Sequence, residues 1–287
     1  MESVAIIGVG LIGGSMGLAL RAAGFNGRIV GVSSPGTIEQ AVALGAIDAG
    51  VTLEQAAGEC DLLYLAQPIS AILKTLDHLG TITRKDALIT DAGSTKVKIV
   101  GQARRVIQQS QFLGGHPMAG KESRGVGAAS ADLFRGRPYV LTPLEAQHLR
   151  TPAAGVFIEW LKRCGTNIVT VTPEQHDRAV AFISHLPQMA STALAACLST
   201  PTDDVDALEL AGPGITDMSR LALSSYEIWQ DILATNSENI EHALSVYIDK
   251  LTEVRDNLQT LSLGPVFASA ARVASRIRQH SPKKGRV

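Results

Sequence analysis

Apolar and polar residues alternate in blocks along the first 171 residues of the chain. Short apolar runs, typical of buried parallel strands, are separated by segments with the three-and-four apolar spacing of helices. The strands are predicted at residues 4–7, 28–32, 61–66, 87–90, 111–115, 138–142 and 166–171, with a short edge strand within residues 46–51. The helices between them are predicted at residues 16–23, 38–44, 69–79, 97–109 and 153–163. This alternation predicts an α/β fold with a doubly wound parallel sheet.

The pattern changes at Thr172, Pro173 and Glu174, where an N-cap residue is followed by proline at the first helical position. Beyond this point apolar residues recur every three or four positions, and strand signals are few. Helices are predicted at residues 176–183, 187–198, 203–210, 215–223, 226–258 and 265–279. The sequence therefore predicts two domains, residues 1–171 and residues 172–287, of which the second is all-helical.

The predicted helix at residues 226–258 is long and rich in Ala, Leu, Ile and Val. Such a helix has more apolar surface than one small domain covers, which favours burial in a subunit interface. We therefore expect a homodimer that forms through the C-terminal helices, so that the second domain is a dimerisation domain. The alternative is a helix packed within its own domain.

A glycine-rich loop, GVGLIGGS at residues 8–15, joins the first strand to the first helix. Gly8 permits a tight turn, Gly10 lets the backbone approach a pyrophosphate, and Gly13 lets the helix pack closely on the strand. Leu11 and Ile12 complete the loop, and the helix N-terminus supplies free N–H donors to an anion. A flexible glycine turn is the alternative, but this placement in the first strand predicts a Rossmann-like dinucleotide site.

Ser33 stands at the end of the second strand, about where this fingerprint usually carries the acidic residue that binds the ribose 2′-hydroxyl. Ser33, Ser34 and the nearby Thr37 offer hydrogen-bond donors without negative charge, which suits a 2′-phosphate. The same residues also suit an ordinary turn before a helix capped by Thr37. We expect NADP as the cofactor in preference to NAD.

Further polar residues lie just past the ends of the predicted strands: Gln67, followed by the strand-stopping Pro68, then Ser94 and His116. Open α/β sheets bind ligands at this edge. These residues and the glycine loop are therefore predicted to converge on one crevice.

Composition narrows the possible functions. The 287 residues carry a formal net charge of −1 and are 45% hydrophobic, so no overall field favours nucleic acid or an anionic membrane. The basic stretch at residues 276–286 is expected to be a frayed end. The three cysteines lack CxxC spacing, so we expect neither a disulfide framework nor a metal site. Without an evident targeting or spanning segment, we expect a cytoplasmic protein.

Motifs along nearly the whole chain resemble those of the prephenate/arogenate dehydrogenases of tyrosine biosynthesis. Besides the glycine loop they are DAGSTK at residues 91–96, GGHPMAGKE at 114–122, YVLTP at 139–143, HDRAVAFISHLPQ at 176–188 and GPGITDMSR at 212–220. YVLTP and the missing acidic residue look most like the NADP-dependent arogenate type of cyanobacteria. The resemblance implies a small-molecule substrate, either arogenate or prephenate.

The family reaction removes a ring hydroxyl proton, transfers hydride from the same carbon to nicotinamide, and releases the ring carboxylate as carbon dioxide. By resemblance, His116 is the catalytic base, Ser94 bonds that histidine and helps to place the nicotinamide, and Arg220 grips a substrate carboxylate. As a serine before a helix, Ser94 would otherwise be an N-cap, and Arg220 a surface helix residue. An unperturbed imidazole titrates at about pH 6.5, so the sequence predicts an acid limb of kcat/KM in that region.

Other motif residues match positions around the substrate. Glu122 matches a glutamate at the rim of the site, or else is a solvated charge. His176 and His185 match histidines that we expect to hold helices together and to cap the pocket. Gln188 stands where several prephenate-using relatives carry histidine, and its neutral amide favours arogenate.

Three alternatives stay open on the sequence alone. A prephenate-preferring dehydrogenase would share all of these motifs. A β-hydroxyacid dehydrogenase has a similar two-domain pattern, but it usually carries a catalytic lysine that does not stand out between residues 173 and 240. A non-catalytic NADP-sensing regulator would have no need of His116, Ser94 and Arg220 together.

Overall fold

The computed structural model describes residues 1–121, 123–198 and 207–280. Its centre is one eight-stranded sheet with the order β3-β2-β1-β4-β5-β6-β7-β8. The strands are β1 (Ser3–Ile7), β2 (Arg28–Val32), β3 (Ala49–Gly50), β4 (Leu62–Leu65), β5 (Leu88–Asp91), β6 (Gln111–Pro117), β7 (Pro138–Pro143) and β8 (Asn167–Thr170). The predicted α/β fold and its doubly wound sheet are confirmed.

The sheet is parallel except between β6 and β7, which pair antiparallel. The sequence analysis predicted a parallel sheet and did not foresee this antiparallel pair. A parallel pair needs a crossover, usually a helix. The described part of the β6–β7 connection instead contains turns and one 3₁₀ turn, Val126–Ala128, so the chain returns beside β6 in the opposite direction.

Helices cover both faces of the sheet. They are α1 (Leu11–Ala22), α2 (Pro35–Ala43), α3 (Leu53–Glu59), α4 (Ile69–Ile82), α5 (Val97–Val106) and α6 (Pro152–Arg163). Alternate residues of β1 enter different cores: Val4 and Ile6 pack on one side of the sheet, Ala5 and Ile7 on the other. Strands buried on both faces explain the continuous apolar runs in the sequence.

Two helices of this half begin earlier than predicted. α1 starts at Leu11 rather than residue 16, because the glycines that weaken the helix signal lie inside its first turns. α2 starts at Pro35, with Ser34 and not Thr37 as its N-cap residue. Proline at the first helical position has a preset φ and no N–H to satisfy, so the helix begins there.

The second half is helical, as predicted. Its helices are α7 (Pro173–Val180), α8 (Leu186–Cys197), α9 (Pro213–Ser219), α10 (Tyr226–Asp256) and α11 (Gly264–His280). Part of the helix predicted at residues 203–210 lies outside the described residues, and the remainder is a 3₁₀ turn, Ala207–Leu210. α10 bends at Asn236, whose φ of −136° and ψ of 24° are non-helical.

The gap predicted between residues 183 and 187 is absent. A π turn, Ala181–His185, joins α7 to α8 without a break. Pro187 in the first turn of α8 cannot donate to the carbonyl four residues earlier, and its ring crowds that carbonyl. The wider π turn accommodates this conflict and keeps one continuous helix, Pro173–Cys197.

By length and apolar composition, Pro173–Cys197 passes the test for a membrane-crossing helix, and it is the one helix to do so within the described ranges. Its inward side nevertheless carries His176, Asp177, His185 and Gln188, all at most 4% exposed. These polar groups bond to neighbouring elements, so in this fold the helix is packed against the protein.

Candidate active site

The glycine loop has the geometry of a tight strand-to-helix turn. Gly8 has a φ of +90°, and a side chain there would lie 2.8 Å from the carbonyl oxygen of Ala66. A side chain on Gly13 would overlap the carbonyl oxygen of Gly8. Gly10 has open space above it and stands as the N-cap of α1, ahead of the partly exposed Leu11 and Ile12. The loop thus exposes backbone and helix N–H groups where an anionic ligand can approach.

The other predicted cofactor residues lie at the same edge of the sheet. Ser33 is exposed directly after β2, and the Ser34 and Thr37 hydroxyl groups are 2.9 Å apart at the start of α2. Gln67 follows β4, where its Oε1 accepts a 2.9 Å hydrogen bond from Thr75, and Pro68 is the N-cap of α4. Because β1, β2, β4, β5 and β6 are parallel, their carboxyl ends bring these residues together with Ser94 and His116.

A buried ion pair stands behind this edge. Lys96 and Asp91 are both fully buried and pair through Nζ and Oδ2. Lys96 Nζ also donates to the carbonyl of Gly115 at 2.7 Å, while Asp91 accepts from the backbone N–H of Gly93 and of Gly115. Burial lowers the pKa of Lys96, although Asp91 opposes that shift. The pair fastens the β5–α5 turn to β6 immediately before His116.

His116 begins a chain of hydrogen-bonding side chains. Its Nδ1 lies 2.9 Å from Nε2 of His176, and Nδ1 of His176 lies 2.7 Å from Oδ1 of Asp177. The Asp177 carboxylate also accepts from the backbone N–H groups of Lys96 (2.7 Å) and Val97 (2.9 Å) at the start of α5. Among the described residues no hydrogen bond joins Ser94 to His116, so the expected Ser94–His116 contact is absent from this structure.

His116 and His185 both have lowered pKa values. Burial places the pKa of His116 well below 6.5, and the nearby His176, Lys96 and His185 act in the same direction. Burial also lowers the pKa of His185 to about 4, partly opposed by Asp177. His185 accepts at Nδ1 from Asn236 of α10 at 3.2 Å, and its ring packs edge-on against Trp229. Neutral imidazoles, which can accept protons, therefore prevail near neutral pH.

A cavity of about 350 Å³ opens beside these groups and brings Gln188 and Arg220 together. Lys121 and Arg124 add two more cationic side chains to its wall. The Oγ of Ser225 is buried there and has no hydrogen-bond partner among the described residues. The remaining lining residues are Gly120, Leu221, Leu223, Ser224, Ile228 and Trp229. Arg124 also pairs with Glu227 at 3.3 Å. The cationic side chains of the wall and the Ser225 hydroxyl make this cavity suited to an anionic ligand.

Gln188 is almost fully buried, and its amide nitrogen is already committed to the protein. Nε2 donates to the carbonyl of Leu221 at 2.8 Å and to Oγ1 of Thr192 at 3.2 Å. Its two amide hydrogens are thereby used, so Oε1 is the group that Gln188 can offer to a ligand, as an acceptor. Glu122, the residue predicted at the rim, lies outside the described residues.

The sequence reasoning missed Asp177, Lys96 and Ser225. Asp177 directly follows His176 in the HD pair, and Lys96 ends the DAGSTK motif, so both stood within motifs whose chemistry was assigned to other members. No local signal distinguishes Ser225 from an ordinary helix N-cap, which is also its backbone position.

Comparison with known proteins adds independent findings. The family model for the nucleotide-binding domain of prephenate dehydrogenase matches residues 16–170, and that for its dimerization domain matches residues 172–263. The chain is 34% identical over 271 residues to the prephenate dehydrogenase of Lactococcus lactis, covering 92% of this chain and 71% of that protein.

Two solved structures are similar over almost their whole length. Prephenate dehydrogenase of Aquifex aeolicus, solved with hydroxyphenyl propionate and NAD⁺, has a TM-score of 0.86 and 30% identity, with 98% of this chain and 99% of that chain covered. Synechocystis arogenate dehydrogenase has a TM-score of 0.80 and 30% identity, with 97% and 100% covered.

Proposed function

This chain belongs to the prephenate dehydrogenase family and is a nicotinamide-dependent prephenate/arogenate dehydrogenase; from that premise we propose that it oxidatively decarboxylates arogenate to tyrosine with NADP. The cofactor, when bound, accepts the hydride. The chain's own residues must bind a substrate with two carboxylates, take its ring hydroxyl proton and return a proton to the phenolate oxygen that decarboxylation leaves. No net proton is released.

The observation that carries the choice of arogenate is the state of Gln188. Arogenate has an ammonium group where prephenate has a side-chain keto oxygen. With both amide hydrogens bonded to Leu221 and Thr192, Gln188 presents an acceptor, which pairs with an ammonium donor and repels a keto oxygen. A histidine at this position offers an N–H to the keto group, and prephenate dehydrogenase is the runner-up function.

His116 is proposed as the general base, in agreement with its place at the end of β6 and its lowered pKa. Arg220 is proposed to hold a substrate carboxylate, because a guanidinium can donate to both oxygens at once. His185 supports the cavity wall through Trp229, and Ser94 is proposed to face the nicotinamide. Glu122 is kept as a rim residue on the strength of the motif alone.

NADP is proposed over NAD because no acidic side chain occurs between Ser33 and Thr37. The exposed hydroxyls of Ser33 and Ser34, the half-buried hydroxyl of Thr37 and the start of α2 are suited to a 2′-phosphate. Gly8, Gly10, Leu11, Ile12 and Gly13 are proposed to hold the pyrophosphate, with Gln67 and Pro68 beside the nicotinamide half. The NAD⁺ in the Aquifex aeolicus structure keeps NAD as the alternative.

We further propose that the chain divides at residues 171 and 172 and dimerises through its second half. Large apolar side chains of the C-terminal helices, including Tyr226, Ile248, Leu251 and Phe267, are exposed in the single chain. A matching surface on a second copy would cover them. We also propose that the enzyme is cytoplasmic and that it acts without nucleic acid or membrane.

Steady-state kinetics with arogenate and prephenate, each against NADP and NAD, tests the proposed function. Absorbance of the reduced nicotinamide reports turnover. We expect the highest kcat/KM for arogenate with NADP, and Gln188→His should shift the ratio toward prephenate. A higher kcat/KM for prephenate in the parent enzyme would refute the arogenate proposal. Inactivity with both substrates would refute the assignment of His116 as the base and of Arg220 as the carboxylate-binding residue.

A further inference from the structure

We propose that His176 and Asp177 are positioning residues that hold His116 in the tautomer with a proton on Nδ1 and a free lone pair on Nε2. The inference rests on the proposed function, because it concerns the base of that reaction. It assigns a role in catalysis to two buried residues that make no contact with the cavity described above.

The hydrogen-bonded series His116–His176–Asp177 is fixed at its Asp177 end. The Asp177 carboxylate receives two backbone N–H groups from the first residues of α5, so it acts as an acceptor anchored at a helix N-terminus. A carboxylate has no hydrogen to offer, so Nδ1 of His176 must be the donor across their 2.7 Å contact. In neutral His176 the proton is then on Nδ1, and Nε2 is left with a lone pair.

That lone pair decides the state of His116. Nδ1 of His116 lies 2.9 Å from Nε2 of His176, and two lone pairs at that distance repel each other. Nδ1 of His116 must therefore carry the hydrogen, which leaves Nε2 unprotonated. His116 is partly exposed whereas His176 is 2% exposed, so the side of the ring turned away from His176 is the side that a substrate can reach.

The same contacts stabilise the proton that His116 accepts. When the substrate O–H bond breaks and the Nε2–H bond forms, the Nδ1 proton of His116 can move to Nε2 of His176. The positive charge then lies on His176 beside the Asp177 carboxylate instead of on His116 near Lys96. After carbon dioxide leaves, both transfers reverse and the phenolate oxygen regains a proton.

Charged and titratable groups on the neighbouring elements affect where the proton lies in the His116–His176–Asp177 series. Lys96 of α5 disfavours a cation on His116, and Asp91 of β5 offsets that lysine through their ion pair. His185 of the π turn also disfavours a cation on His116.

Nitrogen NMR of ¹⁵N-histidine-labelled protein tests the tautomer without any turnover. We expect His116 in the free enzyme at pH 8 to show a protonated Nδ1 and an unprotonated Nε2, with assignment from the spectrum of His116→Asn. In His176→Leu this preference should be lost. A wild-type His116 protonated on Nε2 would overturn the proposal, whatever the enzyme turns over.

Kinetics provide the second measurement. His176→Leu is expected to lower kcat by about 10²- to 10⁴-fold, the range for a base lost or held in the wrong tautomer, with KM and the Kd for NADP close to wild type. His176→Gln retains an acceptor for the Nδ1 proton but cannot take it up, so it should recover part of the loss. The amide of Asp177→Asn can donate to Nδ1 of His176, which reverses the direction of both hydrogen bonds and moves the His116 proton to Nε2. This variant should therefore resemble His176→Leu.

His242→Gln serves as the matched control. His242 is exposed, and within the described part of the chain its one ring contact is with Phe182. This variant should leave kcat unchanged. If His176→Leu and Asp177→Asn fold, bind NADP and keep near-normal kcat, His176 and Asp177 only hold helices together and the proposal is wrong. A wild type inactive with every substrate pair would instead refute the proposed function and leave the NMR result to decide the tautomer.

Discussion

The ammonium group of Lys96 donates a 2.7 Å hydrogen bond to the carbonyl of Gly115, the residue directly before His116. Both Lys96 and its partner Asp91 are fully buried, so a fixed positive charge stands close behind the imidazole. Removing either partner would leave an uncompensated buried charge, which is strongly destabilising. The ion pair thus shapes both the position and the charge preference of the proposed base.

The first prediction concerns the pH dependence of turnover. Because the pKa of His116 is well below 6.5, the neutral base persists as the pH falls through 6.5. We expect the acid limb of kcat/KM to have its midpoint below pH 6.5, which revises the value expected from an unperturbed imidazole. Full pH profiles, with activity recovered on return to neutral pH, provide the measurement. A midpoint at or above 6.5 would show that another group limits the rate or that His116 is better solvated.

His116→Asn tests the base directly. We expect kcat to fall by about 10²- to 10⁴-fold, the usual contribution of a general base. Binding of NADP, measured by fluorescence titration, and the melting temperature are expected to stay close to wild type. Near-normal kcat would mean that another group takes the proton, and joint loss of fold and NADP binding would make His116 a structural residue.

Arg220→Ala tests the carboxylate clamp. Loss of a charge-assisted hydrogen bond costs about 1.5 to 3 kcal/mol, so kcat/KM should fall about 10- to 100-fold, chiefly through KM. Arg220→Lys keeps the charge but not the planar fork, and we expect an intermediate value. Arg178→Ala, an exposed arginine on α7, is the control. An unchanged KM in Arg220→Ala would remove Arg220 from the site.

Cofactor choice is tested at the end of β2. Ser33→Asp places a negative charge where the 2′-phosphate of NADP is proposed to lie, so KM for NADP should rise while KM for NAD falls or stays level. Ser33→Asn has the same size without the charge and should leave the ratio close to the parent value. Equal use of both cofactors by the parent enzyme would contradict the proposed preference.

The buried His185 makes stability depend on pH. Its pKa is about 4 in the folded protein and about 6.5 when unfolded, so below pH 6.5 the unfolded chain binds a proton that the folded chain does not. The free energy of unfolding should therefore fall between pH 6.5 and pH 4, by about 3 kcal/mol from this residue. Urea unfolding at fixed protein concentration measures it. His185→Gln should flatten the slope relative to His242→Gln, and equal slopes in both variants would exclude His185 as its source.

Much of the fold was predictable because it depends on local patterns. Strands buried on both faces are continuous apolar runs, and the glycine loop has fixed spacing, so β1, α1 and the ligand edge follow from the sequence. The antiparallel β7 was missed because its direction depends on the path of the β6–β7 connection, which no periodicity records.

The site was predictable only in part. His116 and Arg220 stand in motifs, but the contact of His116 with His176 joins residues 60 positions apart in the chain, and its meaning depends on Asp177. Likewise, the sequence identifies Gln188 as unusual, yet only the bonds to Leu221 and Thr192 indicate which end of its amide is left for a ligand.

The π turn Ala181–His185 sets the angular phase of the helix that carries these residues. On a regular α-helix at 100° per residue, His176 and His185 would point about 180° apart. By absorbing one extra residue, the π turn reduces this angle to about 80°, so that both rings face inward. Loss of a single residue, such as the 67% exposed Ile183, would keep this phase but would return Pro187 to a regular helix, where its ring crowds the carbonyl four residues earlier. We therefore expect such a deletion to kink the helix at this point and not to leave it straight. A deletion elsewhere in α7 or α8 would rotate one set of site residues out of alignment with the other.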